Sequence, residues 1–211
     1  MKKTLLTLVA VVCAMNVFSE DSWVVKKFTP VTSTAGSGSV HTAVAGDGSV
    51  YVSSAVDQDF TFANKVVTAA TTSTCVVKYD KSGDEVWAIS FNGSNNVRAM
   101  TVDTDGNLYV AGTVTESQTE FIGTDGNSKI ISNPTKYDEM WAETVITGFS
   151  GYVVKIDSDG KILATQQVNP AGPESGYYGE ALVYPNKIVV DNKECIIRPL
   201  YKEMISQPHN V

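Results

Sequence analysis

The residues best placed to do chemistry are acidic, and they fall in two matching runs, Asp103-Thr104-Asp105-Gly106 and Asp157-Ser158-Asp159-Gly160. Carboxylates on alternate residues ahead of a glycine have the alternation found at the start of a calcium loop, where they converge on one ion. A complete loop also needs a third oxygen ligand within the run and a bidentate acid further on. Neither run has these, and the matching place earlier in the chain reads Gly46-Asp47-Gly48. Turn chemistry explains the pattern instead, because Asp-Gly supplies the φ > 0 conformations of a tight hairpin. No intrinsic metal site and no cofactor are expected.

Other reactive groups are scarce. His41 and His209 are the two histidines, so triad hydrolysis lacks its usual base. The run from Asp80 to Trp87 has a different spacing from the Ser-x-Asp-x-Gly-x-x-Trp box of sialidases. Those enzymes also grip their substrate with three arginines, whereas this chain has two, Arg98 and Arg198. With 16 Lys+Arg against 23 Asp+Glu the net charge is −7, which argues against nucleic acid, since phosphate binding needs a basic footprint. The sequence contains no catalytic constellation, and the expectation is a non-catalytic protein. The alternative is an exported carbohydrate-active hydrolase or lyase using acidic loop residues, because acids are numerous enough for a carboxylate pair.

The N-terminus reads as a targeting signal. Lys2 and Lys3 precede an apolar stretch over residues 5–15, and Val17-Phe18-Ser19 places tolerated residues at the −3 and −1 positions before Glu20. The apolar stretch is too short to span roughly 30 Å of hydrocarbon, and no later segment is apolar enough to anchor in a membrane. Cys13 as a lipid-attachment site is a weaker reading, since Val12 stands where a lipobox needs Gly, Ala or Ser. Export to the periplasm, cell surface or medium is expected, with a signal peptide at 1–19 and one domain at 20–211. Cys75 and Cys195 lie in apolar runs and read as small buried residues rather than a staple.

The elements that must position these residues repeat. Ala43-Val44-Ala45-Gly46-Asp47-Gly48-Ser49-Val50-Tyr51-Val52 returns 58 residues later as Thr101-Val102-Asp103-Thr104-Asp105-Gly106-Asn107-Leu108-Tyr109-Val110. Val76-Val77-Lys78-Tyr79-Asp80-Lys81-Ser82-Gly83 likewise matches Val153-Val154-Lys155-Ile156-Asp157-Ser158-Asp159-Gly160. Each segment is strand, turn, strand, so each repeat holds two hairpins and four strands. Abundant Val, Thr, Ser and Tyr with few charges suits such pleated, half-buried strands.

Residue by residue, the stretch from Met100 to Thr113, the downstream aromatics Phe62 and Phe121, and the stretch from Val76 to Trp87 resemble the bacterial propeller repeat known as SBBP. That resemblance implies an all-β, propeller-like array of four-stranded antiparallel blades. Repeat one covers about 40–91, repeat two about 97–168, and a partial third about 178–211. The third would open with Glu180-Ala181-Leu182-Val183, a turn at Tyr184-Pro185-Asn186-Lys187 and Ile188-Val189-Val190; an alternative register puts its turn at residues 191–194. An N-terminal strand at 22–28 resembles residues 86–91 and would complete a final blade. Two and a half blades make an incomplete ring, to be explained by truncation, by closure through an oligomer, or by an open stacked-sheet domain. Self-association through open blade edges is therefore expected.

Extra sequence at residues 116–147 interrupts repeat two, with a further short hairpin expected near Lys129 to Ser132. Loops on a rigid scaffold concentrate binding residues. Tyr137 and Trp141, with Tyr177 and Tyr178 near the Gly-Pro-rich link at 169–176, are the candidate contacts for a protein or glycan ligand. The competing reading is that these aromatics cover blade edges.

Overall fold

The computed structural model describes residues 40–70, 72–93, 95–138, 143–146, 148–168, 181–190 and 195–202. The signal segment at 1–19, the strand expected at 22–28 and the link at 169–176 lie outside the described residues. All regular structure among the described residues is β.

Repeat one contributes β1 (His41–Val44), β2 (Val50–Val56), a small hairpin of β3 (Phe60–Phe62) and β4 (Lys65–Val67), then β5 (Ser73–Tyr79) and β6 (Glu85–Asn92). Four of these pair antiparallel in the order β1-β2-β5-β6. Repeat two begins with β7 (Asn95–Val102) and β8 (Leu108–Val114). It then inserts β9 (Gln118–Ile122), β10 (Ser128–Ser132), β11 (Thr135–Asp138), β12 (Glu143–Ile146) and β13 (Gly148–Phe149) before β14 (Gly151–Ile156) and β15 (Ile162–Val168). Its sheet runs β7-β8-β14-β15. The four-strand reading of each repeat is thus observed, down to a matching irregularity. The pairing of strand three with strand four slips at Lys78/Tyr79 in one sheet and at Lys155/Ile156 in the other.

Two features differ from expectation. The hairpin near Lys129 is the β9–β10 pair, and it is no excursion. β9 adds to the outer edge of β6 through Ser90↔Ile122, Phe91↔Phe121 and Asn92↔Glu120, which makes sheet one six-stranded. At the C-terminal end, β16 (Ala181–Val190) runs straight through Tyr184-Pro185-Asn186-Lys187 and pairs with β17 (Cys195–Lys202), closing at Val190↔Cys195. This is the alternative register. The ladder is irregular between Pro185 and Lys187, which accommodates a residue with no N–H to donate.

Alternation along the strands assigns the faces. On β2, Tyr51 points to one side while Val50 and Val52 point to the other, and all three are buried. The front of sheet one, Tyr51, Val76, Trp87, Ile89 and Phe91, packs on Leu108, Val110, Tyr152, Val154 and Ile156 of sheet two. Its back, including Val52, Cys75, Val77 and Tyr79, is covered by Phe60 and Phe62 of the β3–β4 hairpin, with Phe62 edge-on to Tyr79 at 5.3 Å. The far face of sheet two, at Ala111 and Val153, meets Ile188 of β16. β1 and β16 both lie against β7. The sheets are open and form no closed ring among the described residues.

The centre of this core is a trio of fully buried rings. Phe91 and Phe121 meet at 4.8 Å, Phe121 and Tyr152 at 5.0 Å, and all contacts are edge-on. Such pairs add about 0.5–1.5 kcal/mol each beyond their burial. Tyr152 fits only because its partner across the β8–β14 ladder is Gly112, where a Cβ would collide with the Tyr152 ring and with the Asn96 carbonyl. Alanine ordinarily strengthens a strand relative to glycine. Gly112→Ala should instead destabilise by about 1–3 kcal/mol through overpacking, read from chemical denaturation; a neutral or stabilising result would refute this packing argument.

Candidate functional site

The acidic runs lie in five hairpin turns with one common geometry. In each, the first residue donates its N–H to the carbonyl four residues on and accepts the N–H of the glycine three residues on, as in Asp103 N to Asn107 O and Gly106 N to Asp103 O. The others start at Ala45, Asp80, Gly123 and Asp157. Only the glycines, Gly48, Gly83, Gly106, Gly126 and Gly160, have positive φ, between 78° and 87°. This is a type I turn closed by a glycine bulge, so Asp does not share the left-handed conformation that the Asp-Gly reading gave it.

An aspartate side chain, not always that of the Asp-Gly pair, caps the turn instead. Where the first residue is Asp, its Oδ1 accepts two backbone N–H groups: Ser82 and Asp84 on Asp80, Asp105 and Asn107 on Asp103, Asp159 and Lys161 on Asp157, all at 2.8–3.0 Å. Where the first residue is Ala45 or Gly123, the Asp two places later takes over. Asp47 then caps Ser49 at 2.8 Å and Asp125 caps Asn127 at 3.1 Å. Backbone N–H donation lowers the pKa of Asp47 and of Asp125 below the usual carboxylate range. At Asp103 burial works the other way, but hydrogen bonds from Asn107 and Tyr109 and the Lys155 charge outweigh it, and its pKa is lowered too.

Two of these turns meet a polar cluster on the front of sheet one. Trp87 Nε1 and Lys78 Nζ both donate to the Ser158 carbonyl, at 3.0 and 2.9 Å, and the Tyr51 hydroxyl donates to the Gly106 carbonyl at 3.3 Å. Lys78 stands 5.6 Å from the Tyr51 ring centre, and Tyr51 and Trp87 are in ring contact at 5.8 Å. Burial first, and then the charges of Asp47, Asp157 and Asp103, push the Tyr51 phenol up to about 12, so it remains a donor at neutral pH. The cluster clasps sheet one to two turns of sheet two. In repeat two the equivalent Tyr109 and Lys155 are half-buried on the far face of sheet two, where Tyr109 packs beside Ala111, Val153 and Ile188. Lys155 lies 5.1 Å over the Tyr109 ring and 3.7 Å from Asp103, and its pKa is raised chiefly by its hydrogen bond with Tyr109. Trp87 is replaced there by Ala164, the residue opposite Lys155.

Two potential nucleophiles among the described residues, Cys75 and Ser53, are buried. Cys75 is a free thiol buried in the back of sheet one, and desolvation pushes it up to about 12; the small-buried-residue reading fits it. His41 and Ser53 oppose each other across the β1–β2 ladder, but His41 Nε2 and Ser53 Oγ are buried without hydrogen-bond partners. Ser53 is inaccessible, and the His41 pKa is lowered by burial and by Arg98, against a backbone hydrogen bond at Val97 that raises it. Among the described residues no three His, Cys, Asp or Glu side chains converge to hold a metal.

Of the aromatics picked from sequence, Tyr137 stands on β11 opposite Thr144 of β12. Trp141, Tyr177 and Tyr178 lie outside the described residues, as does His209. Sequence reasoning passed over Tyr51, Lys78 and Trp87. A signal was available, because the Tyr and Lys recur at matching places in repeat two as Tyr109 and Lys155.

Two measurements follow from this geometry. Lys78→Met and Trp87→Phe each leave the Ser158 carbonyl one donor and should cost about 1 kcal/mol. The double variant orphans it and should cost more than the sum; strict additivity would mean that the carbonyl is not shared. The second is a pH profile of stability. His41 has a native pKa below its unfolded value, so the unfolded state takes up protons first and stability should fall as pH drops from about 6.5. Asp47, Asp103 and Asp125 are also depressed. Their contribution is complete above about pH 4 and is lost as pH falls through their native pKa values. His41→Gln should abolish the first stage and leave the second.

No protein-family model matches the sequence, and no curated protein shows significant similarity to it.

Proposed function

We propose that the chain is an exported, non-catalytic protein of the SBBP propeller-repeat type, serving as a binding or structural module of the bacterial cell envelope. The observation that carries this reading is the arrangement of the two sheets, each of which contains a four-strand unit. They stack front to back, with β1 and β16 both lying against β7, as blades stand around a propeller axis. The reading is consistent with acidic side chains such as Asp103 and Asp157 serving as turn caps, and with the burial of Cys75 and Ser53. The N-terminal run of Lys2 and Lys3, an apolar stretch and Val17-Phe18-Ser19 supports export, to the periplasm, cell surface or medium. No helix among the described residues is long and apolar enough to cross a membrane.

In this reading the inserted β11–β12 hairpin, with Tyr137 and the neighbouring Trp141, and the segment bearing Tyr177 and Tyr178 contact a protein or glycan ligand. Expression of the full chain in a bacterium should yield an extracytoplasmic product beginning at Glu20. That product, screened on a glycan array, in envelope pull-downs and against a hydrolase panel, should show saturable binding without turnover, weakened by Trp141→Ala. Turnover abolished by a single Asp or Glu substitution would overturn the non-catalytic reading.

A further inference from the structure

The two sheets share one design but end differently at the last strand. The outer side of β6 is closed by β9. β15 holds the same place in sheet two, and among the described residues it ends its sheet, with β10 of the neighbouring sheet lying near it. An open edge presents a row of unpaired N–H and C=O groups that another chain can join, and proteins normally blunt such edges with charge, proline or shortness. Most other edges among the described residues follow that rule, and β1, which has neither charge nor proline, is only four residues long. β10 carries Lys129, β17 carries Arg198 and Pro199, and β11 and β12 carry Lys136, Asp138 and Glu143. β15 does not. Its seven residues, Ile162-Leu163-Ala164-Thr165-Gln166-Gln167-Val168, include no charge and no proline, with Leu163 half exposed and Ala164 and Gln166 exposed. At about 3.3 Å per residue it offers an edge of roughly 23 Å.

We propose that this edge is a docking surface for a second copy of the chain, β15 pairing antiparallel with β15 about a two-fold axis to join two four-stranded sheets into one of eight. The proposal goes beyond the envelope-module reading and depends neither on ring closure nor on export. Three observations select this occupant. First, the β6–β9 pair shows that a last strand of this design accepts a partner on its outer side. Second, the strand is self-complementary. With the axis between Thr165 and Gln166, Leu163 opposes Val168, Ala164 opposes Gln167 and Thr165 opposes Gln166, so no like charges meet. Third, two copies of a chain of net charge −7 repel over most of their surfaces, and this neutral strip is where they can approach. The strand is also held in place for pairing, since Gln167 Nε2 donates to the Ser132 carbonyl and to Ser150 Oγ.

Sedimentation velocity on the full chain across a hundredfold concentration range tests the idea. A monomer–dimer equilibrium is expected, with amide exchange along β15 slowing as the dimer forms. Gln166→Lys sets a lysine beside the axis in each copy and should weaken the dimer at least tenfold with an unchanged melting curve. Leu163→Lys, at another exposed position, replaces it if Gln166→Lys does not fold. A wild-type chain that stays monomeric at every concentration overturns the proposal. So does a dimer indifferent to the lysine, or one in which β15 amides exchange at the monomer rate.

Discussion

The contact of Phe91, Phe121 and Tyr152 is the interaction on which the arrangement of the sheets rests. The three rings come from the last strand of sheet one, from the hairpin that extends it, and from the third strand of sheet two. Hydrogen bonds finish what the rings begin, because the Tyr152 hydroxyl donates to Asn95 Oδ1 while Asn95 Nδ2 donates to the carbonyls of Phe91 and Gly93, pinning the crossing from β6 to β7. At the turn end the Ser158 carbonyl does the complementary job, drawing Lys78 and Trp87 of sheet one onto a turn of sheet two. Rings hold one end and shared carbonyls the other, so the sheets have little freedom to slide or splay.

Much of this was readable from the residues. The paired repeats around Tyr51 and Tyr109, and around Lys78 and Lys155, foretold the four-strand unit in each of the two sheets, because alternation and turn residues are local signals. Three things were not legible. The joining of β9 to β6 is a pairing between segments whose register is set by where Phe121 finds burial, and no local pattern encodes that. The run through Pro185 was ambiguous because proline is read as a turn residue, while a ladder can absorb it at an irregularity. The clasp was missed because a lysine in a strand reads as solvent-facing, whereas Lys78 is buried over an aromatic ring with a carbonyl to receive its charge.

The candidate site divides in the same way. Turn chemistry was the correct family of explanation for the aspartates, but the role of each atom was not. The expectation assigned them a backbone conformation; the structure assigns them a hydrogen-bonding duty and leaves the conformation to glycine. An aromatic such as Tyr137, chosen because it lies in an insertion, rests on composition and loop placement, which mark where binding occurs without identifying what is bound.

The turn caps also bear on how such repeats drift. The capping carboxylate sits at the first turn position in three hairpins and two residues later in the other two, at Asp47 and Asp125. In the turns that begin at Asp103 and Asp157 both positions are acidic, although the first alone makes the two backbone bonds. A lineage can therefore gain the second acid, lose the first and keep the turn throughout, with no poorly capped intermediate. The two positions behave as one interchangeable unit, so aligning repeats column by column understates their kinship, and scoring the pair together recovers it.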